Sequence, residues 1–425
     1  MASWSDGGQI FPHISVAKAC GSPWAARGAI CGHVIPIFIR CKQTLYLLCA
    51  SNLILVFAIL VIEISVLQAM SEILKTICDW VSSLWFPTSK EQLQDAESKI
   101  LKRIKRPWIG NFIRVSDDVE MWTIQVNLTP SKEPPLVLVH GFISGVCWWA
   151  QNFTDLSEER SVFAFDLPGF GRSSRPVFSS DCKEAENKFV QYIEEWRRAM
   201  GLEKIILLGH SLGGYIVTAY ALKYPERIKH LLLSDPWGFA ILPGGIVDRH
   251  PDSEQQYDVL PRWVHFSNFL INTCNVLSPL RVFGPLGPWI ARLAQFDTNK
   301  RESELWKDKT MLEYIYHCNA QTPSGEDAFR HMNVFLMWAK SPMVKRVSEL
   351  PDDIPMTIMY GSSTFFDHRT AYEIKCNREN SKVEVFIVKN AGHDIHVDNA
   401  KEFNRILKQT LEGTSDEEEW TTVDN

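Results

Sequence analysis

No two of the chain's ten cysteines are spaced as a CxxC pair, and none clusters with histidines at metal-ligand spacing. That speaks against structural zinc, and the lack of a tight cysteine framework fits a reducing compartment. Net charge is also small. The formal net charge is −6, and the acidic tail from Glu412 to Asp424 supplies the excess. A near-neutral body leaves no electrostatic footprint for nucleic acid, and the tail reads as solvated and disordered. No metal or nucleotide motif occurs, so no cofactor is expected. Two Asn-x-Thr triplets, at Asn127 and Asn152, carry little weight, because such triplets arise often by chance.

Long hydrophobic runs are absent except for Leu45–Ala69, "LYLLCASNLILVFAILVIEISVLQA", which is about the length that spans a bilayer as a helix. Asn52, Glu63 and Gln68 interrupt it. Arg40 and Lys42 precede it and Lys75 follows, which biases the N-terminus to the cytoplasmic side. It begins too far from Met1 for a cleaved signal peptide. A membrane-embedded helix or hairpin is expected, with a buried segment as the alternative. Residues 1–40, rich in Gly, Ala and Pro without periodicity, read as a disordered leader.

Past the hydrophobic segment (41–75) comes "CDWVSSLWF", with Trp80, Leu84, Trp85 and Phe86 crowded together as at a membrane interface, or else packed against the domain core. Thr88 and Glu91 have capping-box spacing. A helix is expected behind them, with Leu93, Ala96, Ile100, Leu101 and Ile104 on one face. Its end carries Lys99, Lys102, Arg103, Lys105 and Arg106. Residues 76–110 therefore read as an amphipathic anchor for a membrane or droplet surface, or else as a plain helix with a charged solvent face.

With 45% apolar and 22% charged residues the remainder is core-forming, not disordered. From about Met121 short aliphatic runs alternate with helical patterns: strands at 134–142, 161–171, 204–211, 228–236, 354–361 and 382–389, and helices at 184–198, 213–223 and 400–411. Such alternation predicts an α/β fold with a mostly parallel sheet and helices on both faces, over 111–411. An excursion at about 237–342 interrupts it, with helical pieces at 303–317 and 327–339. Its place between two core strands puts it over the sheet's carboxyl edge as a helical lid, where ligands bind in such folds.

"GHSLGG" ends one of the aliphatic runs and places Ser211 between glycines, where a strand meets a helix. A sharp turn there exposes a serine hydroxyl as a nucleophile; a capping serine in a glycine-rich connection is the bland alternative. A serine nucleophile needs a base oriented by an acid. His393, just after a strand in "NAGHDIHVD", is the expected base, with His396 as rival. Asp367, in "SSTFFDH" after the preceding strand, is the expected acid, with Asp235 as rival. "HGFISG" (140–145) ends the first clear strand. It supplies the Phe142 N–H, with the Leu212 N–H, as donors to an oxyanion. "DLPGFGRSS" (166–174) is its structural neighbour.

These motifs, together with "FPTSKEQLQDAESKIL", "DLPGFGRSSRP", "EYIYHCNAQTPSGEDAF" and "GHDIHVDNAKEFN", resemble the α/β-hydrolase-domain-containing protein 4 and 5 subfamily from about Trp80 to Leu411. The resemblance implies the α/β-hydrolase fold and a lipid-metabolic role. One branch of the family has asparagine at the elbow and co-activates a triglyceride lipase. The other keeps serine, as here, and is implied to hydrolyse N-acylphosphatidylethanolamine and lysophospholipids. The family is also credited with acyl transfer from acyl-CoA to lysophosphatidic acid through a His-x4-Asp motif, matched by His393 and Asp398; Asp398 equally fits a cap on the final helix. The resemblance further implies phospholipid and lysophospholipid substrates, a lipid-droplet or endoplasmic-reticulum membrane surface with the catalytic domain cytosolic, and a lipase or droplet-coat protein as partner.

Overall fold

The computed structural model describes residues 65, 68–77, 88–242, 275, 277–282, 310–334 and 338–412. The leader at 1–40, most of the segment at 41–75, the tryptophan-rich stretch at 78–86, much of the lid and the tail beyond 412 lie outside them. Among the described residues no helix is long and apolar enough to cross a membrane. The chain divides into two compact units, Met1–Met70 and Ser71–Asn425. The second holds the sheet and the helices that cover it.

Its centre is an eight-stranded sheet. The strands are β1 (Trp108–Ser116), β2 (Val119–Val126), β3 (Leu136–Val139), β4 (Val162–Phe165), β5 (Ile205–His210), β6 (Ile228–Ser234), β9 (Met356–Gly361) and β10 (Val383–Val388). Two-residue strands β7 (Asn333–Val334) and β8 (Trp338–Ala339) pair separately. The order is β1-β2-β4-β3-β5-β6-β9-β10, parallel from β4 to β10. β3, β4, β5 and β9 are buried at every residue. This is why they read as unbroken aliphatic runs: a parallel strand is covered on both faces.

Two cores result, one on each face. Val137, Val139 and Leu207 point to helices α2 (Cys182–Ala199), α3 (Leu212–Lys223) and α6 (Arg369–Asn377). Leu136, Leu138, Ile206 and Leu208 point to α1 (Lys90–Leu101), α4 (Thr310–Asn319) and α7 (Ala400–Glu412). From β3 the chain steps to β4 on one side and then to β5 on the other, so the order reverses there. In open α/β sheets ligands bind at such a reversal, here the carboxyl ends of β3 and β5.

Several expectations change. β1 and β2 extend the sheet before Met121 as an antiparallel pair. The expected helix at 327–339 is α5 (Gly325–Met332), which gives way to β7 and β8. In α1 the cap is Ser89, whose hydroxyl accepts the Gln92 N–H at 3.2 Å; Thr88 pairs instead with His317 at 3.0 Å. The apolar face of α1 is spent within the protein, with Leu93, Ala96, Ile100 and Leu101 buried in the second core beside Tyr314 of α4. That face is therefore not available to a membrane, whereas Lys99, Lys102, Arg103 and Lys105 stay exposed. Asn152 is fully buried and gives its amide hydrogens to the His396 carbonyl and Asn404, so that triplet is no glycan acceptor. Cys147, Cys182, Cys318 and Cys376 are free thiols.

α1 also buries a carboxyl group. Glu97 meets Arg172 at 2.7 Å, and Asp166 accepts the backbone N–H of both Val146 and Arg172 at 2.8 Å. Burial, reinforced by Asp166, pushes the Glu97 carboxyl up to about 8, and burial pushes Asp166 up to about 6. The folded protein thus keeps a proton on Glu97 that the unfolded chain loses near its ordinary 4.5. Stability from this group falls as pH rises between those values. Glu97→Gln is expected to gain stability relative to wild type as pH rises from 5 to 9. Urea denaturation across that range checks this; parallel pH slopes would sink it.

Candidate active site

Ser211 follows β5 and precedes α3 with φ 52° and ψ −120°, a left-handed conformation that a non-glycine residue adopts only when its surroundings impose it. Here they do. The Ser211 N–H bonds the Ser234 carbonyl at 3.1 Å, and its carbonyl accepts from Tyr215 and Trp237. The flanking glycines let the turn close: a Cβ on Gly209 would stand 2.5 Å from the Gly213 carbonyl oxygen. The elbow holds the serine side chain at the carboxyl edge of the sheet, and the turn closes only with glycine at positions 209 and 213.

His393 lies in the loop after β10. Its ring sits against that of His210, the residue before Ser211, with centroids 4.7 Å apart, and between Phe365 and Phe366 at 5.0 Å each. Nδ1 of His393 is 2.6 Å from Asp235 Oδ2. Asp235, fully buried just past β6 at φ 43°, also accepts the Thr364 hydroxyl at 2.6 Å. Burial raises its carboxyl pKa, and the His393 and Thr364 bonds oppose that rise.

The expected pairing of His393 with Asp367 is corrected. Asp367 binds Arg369 through both its oxygens at 2.7–3.1 Å, on the outside of the domain. That guanidinium lowers its pKa. The space beside His393 that a residue of this loop could fill is taken by Phe365 and Phe366. The signal for Asp235 was its place immediately after a core strand. His396, the rival base, is fully buried, its ring 4.2 Å from that of Trp149.

The loop after β3 approaches closely, since a Cβ on Gly141 would lie 2.9 Å from Ser211 Cβ. Phe142 N–H comes next along that loop, while Leu212 N–H is at the first position of α3, where a helix leaves its amides without internal partners. His140 fastens this loop to its neighbour. Its Nδ1 donates to the Gly141 carbonyl at 2.7 Å, and its Nε2 accepts the Leu167 N–H at 2.9 Å. Burial lowers its pKa to about 4, so the ring is neutral as that bonding requires. Asp398 accepts the Gly392 N–H at 2.8 Å and so steadies the His393 loop; α7 is capped instead by Asn399, which takes the Glu402 N–H.

Among the described residues one cluster has metal-competent donors in reach of each other: His210, Asp394 and His396, all buried and within 4.8 Å. His210 Nε2 lies 3.1 Å from the His393 carbonyl and 3.4 Å from Asp394, so Nε2 carries the proton. Ligation through Nε2 would move that proton to Nδ1, which is buried without an acceptor. A metal-bound histidine normally hands that hydrogen to a partner. The cluster fits a support for the His393 carbonyl better than a metal site.

A family model described as the α/β hydrolase fold matches residues 134–400. Human 1-acylglycerol-3-phosphate O-acyltransferase ABHD5 is 42% identical over 322 residues, covering 76% of this chain and 90% of that protein. Human (Lyso)-N-acylphosphatidylethanolamine lipase is 40% identical over 333 residues, covering 78% and 95%. Among solved structures, a bacterial membrane phospholipase A superposes with a TM-score of 0.54 at 20% identity, covering 76% of this chain and 91% of that one. Naproxen esterase from Bacillus subtilis gives 0.52 at 17%, covering 75% and 97%. At such identities these structures show the fold alone.

Proposed function

Because the chain belongs to the α/β-hydrolase fold family, within the group of α/β-hydrolase-domain-containing proteins 4 and 5, we propose that it is a serine hydrolase of acyl lipids. Its substrates on this reading are lysophospholipids and N-acylphosphatidylethanolamine. The observation that carries it is the strained elbow at Ser211 with the His393–Asp235 pair beside it. Ser211 Oγ attacks the acyl carbonyl as His393 Nε2 takes its proton, and Asp235 holds the imidazole and stabilises its cation. The N–H groups of Phe142 and Leu212 stabilise the oxyanion. The proton passes to the leaving alcohol, and water then releases the fatty acid from the acyl-enzyme. No metal or cofactor enters these steps.

Attachment to a membrane or droplet surface is supported by the helical residues 71–77, where Ile73, Leu74 and Ile77 are exposed apolar side chains. The basic end of α1 adds attraction for anionic lipid. We place the protein at droplets and the endoplasmic reticulum with its catalytic domain cytosolic, where a lipase or coat protein could dock.

Acyl-CoA-dependent acylation of lysophosphatidic acid through His393 and Asp398 is the second reading, favoured by the name of the 42% identical relative. The bond from Gly392 to Asp398 favours a structural task for that carboxylate. A scaffold or lipase co-activator is the third, and an elbow serine argues against it as sole function. The test is mass spectrometry of products from N-acylphosphatidylethanolamine, lysophosphatidic acid and labelled acyl-CoA. Ser211→Ala is expected to abolish fatty-acid release, and Asp398→Asn, which keeps an acceptor for Gly392, to stay within about threefold of wild type. Labelled phosphatidic acid that survives Ser211→Ala but not Asp398→Asn would establish the acyltransferase instead.

A further inference from the structure

Ile143, the residue after the oxyanion donor Phe142, has φ 66°. For a β-branched side chain that conformation is sterically disfavoured, and it persists only where something outside the residue imposes it. What imposes it comes from the lid. Asn319, the last residue of α4, is buried at 4% exposed. Its amide nitrogen donates one hydrogen to the Ile143 carbonyl and the other to the Ile315 carbonyl, each at 2.8 Å. Both of its hydrogens are therefore committed.

The lid reinforces this grip. The Phe142 ring stacks on Phe329 of α5 with centroids 4.2 Å apart. Phe142 and Ile143 pack against Leu277 and Leu280. Arg281 braces the turn behind Asn319, reaching its carbonyl at 3.3 Å, that of Gln321 at 2.8 Å and Glu326 at 2.5 Å. From the other side, His140 and Ser144 hold the Gly141 carbonyl at the base of the loop, and the Phe142 ring meets Phe170 edge-on. If Ile143 relaxed to an ordinary negative φ, the peptide on its N-terminal side would swing, and Phe142 with it.

We propose that Asn319 is a positioning residue for the oxyanion hole: the lid amide locks Ile143 in its left-handed conformation and thereby aims the Phe142 N–H. This rests on the serine-hydrolase reading. It deepens that reading by making the lid part of the catalytic geometry as well as a cover. Because the clamp is a single side chain, it can be removed without cutting the lid away.

The test reads phosphonylation of Ser211 by an alkyl fluorophosphonate, which needs the oxyanion donors but no particular lipid, alongside kcat and KM for a short-chain ester. Asn319→Asp keeps the shape and removes the donor. It is expected to slow phosphonylation and lower kcat in parallel, by roughly 10- to 100-fold, with KM within about threefold. Asn319→Ser, which keeps one donor, is expected to fall between, and serves if Asn319→Asp does not fold. Adding Ile143→Gly should restore most of the loss, since glycine adopts positive φ without a clamp. A purely structural role at the end of α4 would gain nothing from a glycine 176 residues earlier. Wild-type rates in Asn319→Asp, or a loss that Ile143→Gly leaves in place, would overturn the proposal. A wild type that takes the probe yet hydrolyses no lipid would refute the lipid substrate and leave this test standing; one that refuses the probe would overturn both.

Discussion

Asp235→Asn is expected to lower kcat by roughly ten-thousand-fold, while Asp367→Asn leaves it within about twofold. The contrast follows from two hydrogen-bond patterns. Asp235 is fully buried with Oδ2 2.6 Å from His393 Nδ1. Asparagine there could present an N–H to the imidazole, leaving the wrong tautomer toward Ser211 and no charge to stabilise the cation that forms. Asp367 faces solvent on Arg369, an exposed pair worth little. Steady-state kinetics on the two folded variants decide the matter. A large loss in Asp367→Asn with an active Asp235→Asn would show that the working enzyme re-pairs its histidine.

Gly361→Ala should be a severely damaging single-methyl change. Gly361 ends β9, and a Cβ on it would lie 2.5 Å from the Ala391 carbonyl oxygen and closer still to that of Gly392. Both clashes are with backbone, so no side chain can swing aside. The obstructed residues immediately precede His393, in a segment tied down by the Ser363 N–H on the Ala391 carbonyl and by Asp398 on Gly392. Displacing the histidine by even about 1 Å is expected to cost about 100-fold in kcat/KM, with about 1–3 kcal/mol of stability lost to overpacking. Denaturant unfolding and ester kinetics on the same preparation would show both effects. Wild-type activity in Gly361→Ala would mean that the loop has room the structure does not show.

Much of the site could be read directly from the chain. Buried parallel strands have to be apolar on both faces, so β3, β4, β5 and β9 stand out as short aliphatic runs. Ser211 stands out because only small neighbours permit its turn, and His393 because it follows the last strand. β1 was not legible: as an edge strand with Ile109 and Phe112 exposed, it lacks the continuous burial that marks the others.

The sequence by itself determined the fold class, the position of the serine elbow and the loop that carries His393, because each depends on local geometry with a periodicity or a turn signature. Only the tertiary structure decided the rest. Asp235 and Asp367 both follow core strands, and the choice between them depends on which side chain faces inward and which meets Arg369. The burial of the apolar face of α1 depends on α4 lying across it, from a segment far later in the chain. The bond from Asn319 to Ile143 spans 176 residues, and strain at an isoleucine has no sequence signature. Contacts of that kind join segments far apart in the chain, where burial and hydrogen-bond satisfaction settle what local propensity leaves open.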